Sequence, residues 1–183
     1  MGIELGSAVV LITGVMAAGK STVAELLAGQ LPRAAHVRGD VFRRMVVSGR
    51  EELLPEETAE ARAQLELRYR LSALVADEYA DHGWTAVVQD IVLGEDLDGY
   101  VARVRTRPLY VVVLTPSTAT VQSREAQRQK TGYGGAWTVD ALDRTLREET
   151  PRIGLWLDTS EQTPVQTVSS ILDNLSTARV QAD

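Results

Sequence analysis

One segment near the start of the chain, Gly14–Ser21, constrains the fold more than any other part of the sequence. It reads GVMAAGKS and matches the pattern G-x-x-x-x-G-K-[ST]. An apolar run, Ala8–Thr13, comes directly before it, and a run of helical character, Ser21–Leu31, comes directly after it. In this strand–loop–helix order, the glycines let backbone N–H groups turn inward, and the helix N-terminus adds positive charge at the same point. The segment therefore predicts a phosphate-binding loop.

The residue types in this loop suit a nucleoside triphosphate bound together with Mg²⁺. Lys20 has the length to reach the outer phosphates, and the hydroxyl of Ser21 is a suitable ligand for the metal. The predicted nucleotide-binding residues of the loop are Gly14, Ala17, Ala18, Gly19, Lys20, Ser21 and Thr22. The alternative is a glycine-rich turn that binds nothing, and the matching strand and helix on either side argue against it.

Composition narrows the class of protein to which the chain can belong. Its 183 residues suit a single domain, residues 1–183, that buries roughly 70% of the surface of the unfolded chain. There is no cysteine and no apolar run near the ~20 residues of a membrane span. Met1–Ser7 lacks the basic start of a secretory signal, so we expect a cytoplasmic enzyme. The net charge of −6 argues against a broad nucleic-acid surface.

Apolar runs of strand length alternate with segments of helical period along the chain. This alternation is typical of an α/β domain with a parallel sheet. The predicted strands are Val9–Thr13, Ala34–Val37, Thr85–Gln89, Leu109–Leu114 and Gly154–Asp158. The predicted helices are Ser21–Leu31, Pro55–Gly83, Leu97–Arg105, Ser117–Lys130, Asp140–Glu149 and Pro164–Leu175. On the longest helix we expect one stripe to pack in the core, formed by Leu67, Leu71, Leu74, Val75 and Glu78.

Carboxylates follow two neighbouring candidate strands. Asp40 comes after the second predicted strand, and Asp90 directly follows the third. Ligands of open parallel sheets bind beyond the carboxyl ends of the strands, so both side chains should face the triphosphate site. Asp40 suits a base that takes or orients the proton of a hydroxyl acceptor, and its alternative role is a helix N-cap. Asp90 suits a partner of Mg²⁺ and of the acceptor, and its alternative role is a loop cap. The sequence leaves the division of base and metal roles open.

Two arginines mark a candidate lid over approximately residues 117–137. Arg124 and Arg128 are four residues apart, so they share one face of a helix, and Lys130 follows them. A glycine-rich stretch, 131–135, then provides freedom for hinge motion. Cations on such a segment would exclude water and stabilise charge on a transferring phosphoryl group, and the alternative is a solvated arginine face. Arg43 and Arg44 follow Asp40 by one helical turn, and Arg43 is the candidate for holding an anionic or polar acceptor. The alternative for either arginine is solvation at the surface.

From the phosphate loop to the last strand, the chain resembles the P-loop small-molecule kinases. Within them it is most similar to the chloramphenicol phosphotransferase, zeta-toxin and adenylylsulfate-kinase-like group. The resemblance is carried by Gly14–Thr22, Gly39–Arg43 and the spacing of Arg124 and Arg128. It implies a three-layer α/β sandwich with a five-stranded parallel sheet in the order 2-3-1-4-5 and flanking helices. It also implies ATP as the phosphoryl donor and Mg²⁺ as the metal.

The same resemblance implies roles for individual residues. Asp40 matches the catalytic aspartate of the group, and Lys20, Arg124 and Arg128 are the other candidate catalytic residues. Asp158 and Thr159 would begin the loop that passes the adenine. The segment after Asp40 departs from the substrate patterns of gluconate, shikimate and nucleotide kinases, so the acceptor is not named by the sequence.

We therefore expect an ATP-dependent phosphotransferase that moves the γ-phosphoryl group to a hydroxyl of a small molecule, such as an antibiotic, a sugar or a related metabolite. Two alternatives stay open at this point. One is a nucleotide-dependent switch or ATPase that has no acceptor. The other is a kinase for the 5′-hydroxyl of a nucleic acid, against which the acidic net charge argues.

Overall fold

The computed structural model describes residues 5–127 and 137–181. These residues form a five-stranded sheet in which every neighbouring pair of strands is parallel, and the strand order is β2-β3-β1-β4-β5. The strands are β1 (Ala8–Gly14), β2 (Ala34–Arg38), β3 (Thr85–Gln89), β4 (Leu109–Leu114) and β5 (Leu155–Leu157). The predicted α/β architecture and strand order are confirmed.

Helices connect the strands and flank the sheet. They are α1 (Lys20–Gln30), α2 (Gly39–Met45), α3 (Ala59–Asp81), α4 (Asp96–Arg103), α5 (Thr118–Ala126), α6 (Val139–Arg144), α7 (Pro164–Asp173) and α8 (Leu175–Ala178). A π-helical turn, Thr145–Glu149, continues α6. Helix α1 contacts α7, whereas α3 contacts α2, α4 and β3. Among the helices of the described residues, none combines the length and the apolar character needed to cross a membrane.

Strand β1 is the centre of the core. It lies between β3 and β4, with Val10 paired to Val87 on one side and to Tyr110 on the other. Every residue of β1 is buried, as expected for a parallel strand that is covered on both faces. Burial of each valine, leucine or isoleucine contributes roughly 1.5–3 kcal/mol, so the position of this strand is strongly determined. The loop that follows β1 therefore starts from a rigid point.

Helix α3 begins at Ala59 and not at the predicted Pro55. The side chain of Thr58 accepts a hydrogen bond from the backbone N–H of Ala61 at 3.0 Å, which satisfies a donor that has no partner within the helix. A proline is tolerated in a first helical turn but provides no such cap. The cap at Thr58 therefore sets the start of the helix.

The predicted core stripe of α3 is wrong for most of its members, and of the five only Val75 packs against the core. Leu67 is 43% exposed and Leu74 is 56% exposed. The buried face of the helix consists mainly of small residues together with one tyrosine, and its members include Ala61, Tyr69, Ser72, Ala73, Ala76 and Ala80. Small side chains let a helix approach a sheet closely, and this face contacts β3. The large leucines are consequently left on the outer side of α3.

A pair of glutamine substitutions tests this assignment of faces. Ala76→Gln should lower the free energy of unfolding by about 1–3 kcal/mol or more, because Ala76 is 0% exposed and the larger polar side chain has no room. Leu74→Gln, two residues away, should change it by less than about 0.5 kcal/mol. Urea denaturation of both variants is the measurement, and an equal loss in the two would contradict the assignment.

Candidate active site

The loop between β1 and α1 has the backbone conformation that its glycines predict. Gly14, Ala17 and Gly19 have positive φ angles of 142°, 60° and 96°. A Cβ atom at Gly14 would lie 2.6 Å from the carbonyl oxygen of Leu114 in β4, so this position requires glycine. Ala17 adopts a left-handed conformation although it has a side chain, and such strain is concentrated at ligand-binding sites.

Lys20 is the first residue of α1, and its ammonium group lies within the loop. Nζ donates hydrogen bonds to the carbonyl oxygens of Gly14 at 2.8 Å and of Val15 at 2.6 Å. Lys20 is only 7% exposed, so these carbonyls compensate a charge that has been removed from water. The loop therefore holds a positive charge beside the N-terminus of α1, whose dipole has the same sign.

Ser21 is oriented by a residue at the end of β3. Its hydroxyl donates a hydrogen bond to Oε1 of Gln89 at 2.8 Å. A serine hydroxyl has one proton and two lone pairs, so this bond leaves both lone pairs available to a metal ion. The oxygen donor suits Mg²⁺, which is commonly held by one or two protein oxygens together with substrate phosphates. In residues 5–127 and 137–181, no three His, Cys, Asp or Glu side chains form a separate metal cluster.

Asp40 lies in the first turn of α2, beyond the end of β2. Its alternative role as a helix N-cap is wrong, because α2 begins at Gly39 and the N-cap position is Arg38. Oδ2 forms an ion pair with Nη2 of Arg44 at 3.2 Å. Oδ1 is buried and has no hydrogen-bond partner among the described residues, although Nε of Arg38 lies 4.0 Å away. One carboxylate oxygen is thus shielded from solvent and still able to accept a proton.

Asp90 is fully buried in a bidentate ion pair with Arg68 of α3. Nε of Arg68 donates to Oδ2 at 2.8 Å, Nη2 donates to Oδ1, and the backbone N–H of Ile91 also donates to Oδ1. Burial raises the pKa of Asp90, and attraction to Arg68 opposes this rise. Burial lowers the pKa of Arg68, and attraction to Asp90 more than offsets this effect, so the pKa of the guanidinium is raised. The two charges compensate each other beside the site.

Gly39 brings α2 close to Asp90. A Cβ atom at Gly39 would overlap the carboxylate of Asp90, so only glycine fits between this carboxylate and Asp40. Attraction to Lys20 in the phosphate loop also acts to lower the pKa of Asp90. Gln89 and Asp90 therefore connect the phosphate loop with α2, because Gln89 accepts a hydrogen bond from Ser21 and Asp90 contacts Gly39.

Arg124 near the end of α5 connects the phosphate loop with the loop after β5. Nη1 donates to the carbonyl oxygen of Ala18 at 3.2 Å, and Nη2 donates to that of Thr159 at 2.8 Å. The structure thus brings Arg124 to the predicted site. Arg128 and Lys130 lie outside the described residues. Helix α5 ends at Ala126, and the last part of the predicted helix, residues 128–130, lies outside the described residues.

The two predicted adenine-loop residues have different environments. Thr159 is buried, and its hydroxyl has no hydrogen-bond partner among the described residues. Asp158 is exposed and accepts hydrogen bonds from the backbone N–H of Ser160 at 2.9 Å and from its hydroxyl at 2.5 Å. These hydrogen bonds lower the pKa of Asp158. Asp158 thus shapes the turn that presents Thr159.

Comparison with known proteins establishes the family. Residues 9–152, which span the phosphate loop, α2, α3 and Arg124, match the family model AAA_33, described as an AAA domain. The chain belongs to the AAA_33 family. A comparison with curated proteins gave no significant match.

Several solved structures share the fold of this AAA_33 protein. A sugar kinase from Janibacter sp. has a TM-score of 0.67 at 22% identity, with 93% of this chain and 95% of that chain covered. The tunicamycin resistance protein of Deinococcus radiodurans has a TM-score of 0.67 at 15% identity, with 96% and 99% covered. The APS kinase of Mycobacterium tuberculosis, in complex with AMPPNP and APS, has a TM-score of 0.64 at 18% identity, with 92% and 97% covered. The resemblance to the P-loop small-molecule kinases is confirmed at the level of the fold.

Two residues of this AAA_33 site were not predicted from the sequence. Gln89 ends β3 as a polar residue directly after the apolar run Ala86–Val88, and this change from apolar to polar could have indicated it. Arg68 precedes Tyr69 in α3. It was missed because the predicted buried face of this helix was defined by its leucines. Arg43, the predicted acceptor ligand, is paired with Glu52 at 2.6 Å.

The close contact between Gly39 and Asp90 predicts opposite effects for two alanine substitutions. Gly39→Ala should destabilise the protein by about 1–3 kcal/mol, because the new methyl group overlaps the carboxylate of Asp90. Gly29→Ala in α1 should stabilise it by about 0.5–1 kcal/mol, because its Cβ meets nothing within 4 Å and alanine favours a helix. Thermal and urea unfolding distinguish the two. Similar changes of the same sign would contradict the contact.

Proposed function

We propose that this protein is an ATP-dependent kinase that transfers the γ-phosphoryl group to a hydroxyl of a small molecule. The observation that carries the proposal is the position of Asp40. Its buried, unbonded oxygen belongs to the same connected site as Lys20 and Ser21, through Gln89, Asp90 and Gly39. A polyphosphate loop needs no such carboxylate for binding alone, whereas transfer to a hydroxyl group does.

The donor side of the reaction rests on the phosphate loop. Backbone N–H groups of Gly14–Lys20 and the N-terminus of α1 would hold the β- and γ-phosphates. Lys20 would then exchange its carbonyl partners for phosphate oxygens, which are stronger acceptors because they are charged. Ser21 would help to hold Mg²⁺, which would supply positive charge to neutralise the phosphates. Because the hydroxyl proton of Ser21 points at Oε1 of Gln89, the lone pairs of this hydroxyl point away from the Gln89 side chain.

Asp40 and Asp90 receive different roles in this proposal. Asp40 accepts the proton of the acceptor hydroxyl at Oδ1, while Arg44 holds Oδ2 in place. Asp90 has about four acceptor sites on its carboxylate, and three are occupied by the two bonds from Arg68 and one from Ile91. The remaining site suits a water molecule bound to Mg²⁺, so we assign Asp90 to the metal side.

Arg124 would complete the nucleotide side of the site. It already bonds the carbonyl oxygens of Ala18 and Thr159, so it holds the loop after β5 against the phosphate loop. We propose that Thr159 and Asp158 adjoin the adenine there. A guanidinium at this position also stabilises negative charge that develops on the transferring group. Arg128, four residues later, remains the second proposed lid arginine.

The rate of ADP release tests the reaction class. With ATP and Mg²⁺ alone, release should be slow, and pooled hydroxylated metabolites and antibiotics should raise it at least about tenfold when the acceptor is present. Slow release that no pool changes would favour a nucleotide switch. Stimulation only by a 5′-hydroxyl oligonucleotide would favour a nucleic-acid kinase, and either result would contradict the proposal.

The same assay separates the role of Asp40 from that of an ordinary surface aspartate. Asp40→Asn should lower the stimulated rate by about 100-fold or more and leave ATP affinity within a few-fold, because the base is lost and the loop is not. Asp81→Asn is the matched control, because it also breaks an ion pair between an aspartate and an arginine, Arg105. Asp81 lies at the end of α3, just before the start of β3 and away from the carboxyl ends of the strands. The activity of this variant should be unchanged.

A further inference from the structure

A cavity of about 200 Å³ lies between α2 and α3. Phe42 and Arg43, which follow Asp40 in α2, form one wall. Arg68 of α3 belongs to another wall, and the same guanidinium pairs with Asp90. The cavity wall thus begins two residues after Asp40 in α2 and is joined to Asp90 by one ion pair. Because small-molecule pockets commonly measure about 300–1,000 Å³, this cavity suits a compact portion of an acceptor.

The cationic groups that line this cavity are already neutralised by the protein. Nη2 of Arg43 lies 2.6 Å from Oε2 of Glu52. Asp90 pairs with Arg68 along the guanidinium edge formed by Nε and Nη2. An anionic acceptor would need an uncompensated cation here, because a buried negative charge is costly without a partner. Among the described lining residues, both arginines already hold a carboxylate.

The other polar side chains of the lining are also engaged. Glu51 accepts a hydrogen bond from the hydroxyl of Thr58. Gln64 donates to the carbonyl oxygen of Gly49 at 2.8 Å and to Oε1 of Glu60 at 2.7 Å, and its own oxygen accepts from the backbone N–H of Glu51 at 3.1 Å. A polyhydroxylated ligand would have to break these bonds to gain new ones.

What remains for a ligand to contact is mainly apolar. The apolar lining side chains include Phe42, Met45, Leu53, Leu65, Leu67 and Leu71. Met45 and Leu67 stay exposed in large part. The indole N–H of Trp137 donates to the carbonyl oxygen of Leu53 at 2.7 Å. That bond attaches the loop between α2 and α3, which contains Leu53, to the segment that leads into α6.

We propose that the phosphoryl acceptor is an uncharged alcohol whose apolar body occupies this cavity and whose hydroxyl reaches Asp40. This rests on the proposed kinase function and narrows its substrate class. Anionic hydroxy acids and polyhydroxylated sugars are excluded as preferred acceptors. Leu67, one of the leucines that α3 leaves on its outer side, then has a function, because it lines the cavity and contacts the acceptor.

Size-matched alcohols test the substrate class directly. One pair is 4-methylbenzyl alcohol and 4-(hydroxymethyl)benzoate, which share a ring and a hydroxyl group and differ by a methyl group against a carboxylate. Libraries of neutral apolar alcohols, anionic hydroxy acids and neutral polyols, built around such pairs, are assayed with ATP and Mg²⁺ for phosphorylated product by mass spectrometry. We expect the apolar library to give kcat/KM values at least about tenfold above the other two.

Two leucines of α3 provide matched variants. Leu67→Gln should raise KM for the apolar acceptors about tenfold and leave ATP affinity unchanged, because Leu67 lines the cavity. Leu74→Gln changes a similarly exposed leucine on the same helix that does not line it, and KM should stay within about twofold.

The outcomes separate this inference from the kinase function itself. Preferential transfer to the anionic or polyol library, or equal effects of Leu67→Gln and Leu74→Gln, would overturn the apolar acceptor while the kinase stands. An absence of phosphorylated product from all three libraries would overturn both. Preference for apolar alcohols that Leu67→Gln weakens would establish the inference.

Discussion

The hydrogen bonds from the Lys20 ammonium to the carbonyls of Gly14 and Val15 are the interaction around which the site is built. They close the loop on a positive charge at the point where the central strand becomes a helix. The buried strand β1 gives this loop a rigid base, and close packing against β4 leaves room only for glycine at position 14. A site with this much fixed positive charge favours a polyanion over any neutral ligand.

A second buried charge extends the site away from the phosphates. Asp90 and Arg68 connect the end of β3 with α3, and Gly39 allows α2 to begin against them. The segment after Asp90 is tied to β1, since Thr13 and Val92 exchange two hydrogen bonds of 2.9 Å. Breaking the ion pair of Asp90 and Arg68 would leave an uncompensated buried charge, so this pair holds α3 and the end of β3 together as one unit. Asp40 is presented by α2, which begins against that unit, and the wall of an apolar cavity begins two residues later.

Much of the fold could be predicted because the buried strands are recognisable as short apolar runs in the sequence. The buried strands β1, β3 and β4 consist almost entirely of apolar residues, and the phosphate-loop pattern orders strand and helix around Gly14–Ser21. The position of Asp40 after β2 followed from the same reasoning. The exposed leucines of α3 were not predictable in this way, because hydrophobicity alone does not distinguish a stripe that packs on a sheet from one that lines a cavity. The small residues of α3 that pack on the sheet give a weaker hydrophobic periodicity than leucines do.

The partners of the site residues depend on tertiary contacts that local sequence does not encode. Arg68 and Asp90 are 22 residues apart, and Ser21 and Gln89 are 68 apart, so neither pairing has a spacing rule. The shielding of one oxygen of Asp40 likewise arises only when α2 is placed. Under the proposed function, these contacts distinguish a site that transfers a phosphoryl group from a loop that only binds phosphate.

Calorimetry with Mg²⁺ and ATP tests the central claim most directly. The folded protein should release measurable heat on binding ATP, and Lys20→Met should weaken that binding at least about tenfold, because the charge that the loop surrounds is lost. Arg33→Met, which removes a cation near the opposite ends of the strands, should bind ATP like the original protein. No heat from the folded protein, or equal affinities for the original protein and Lys20→Met, would contradict the account.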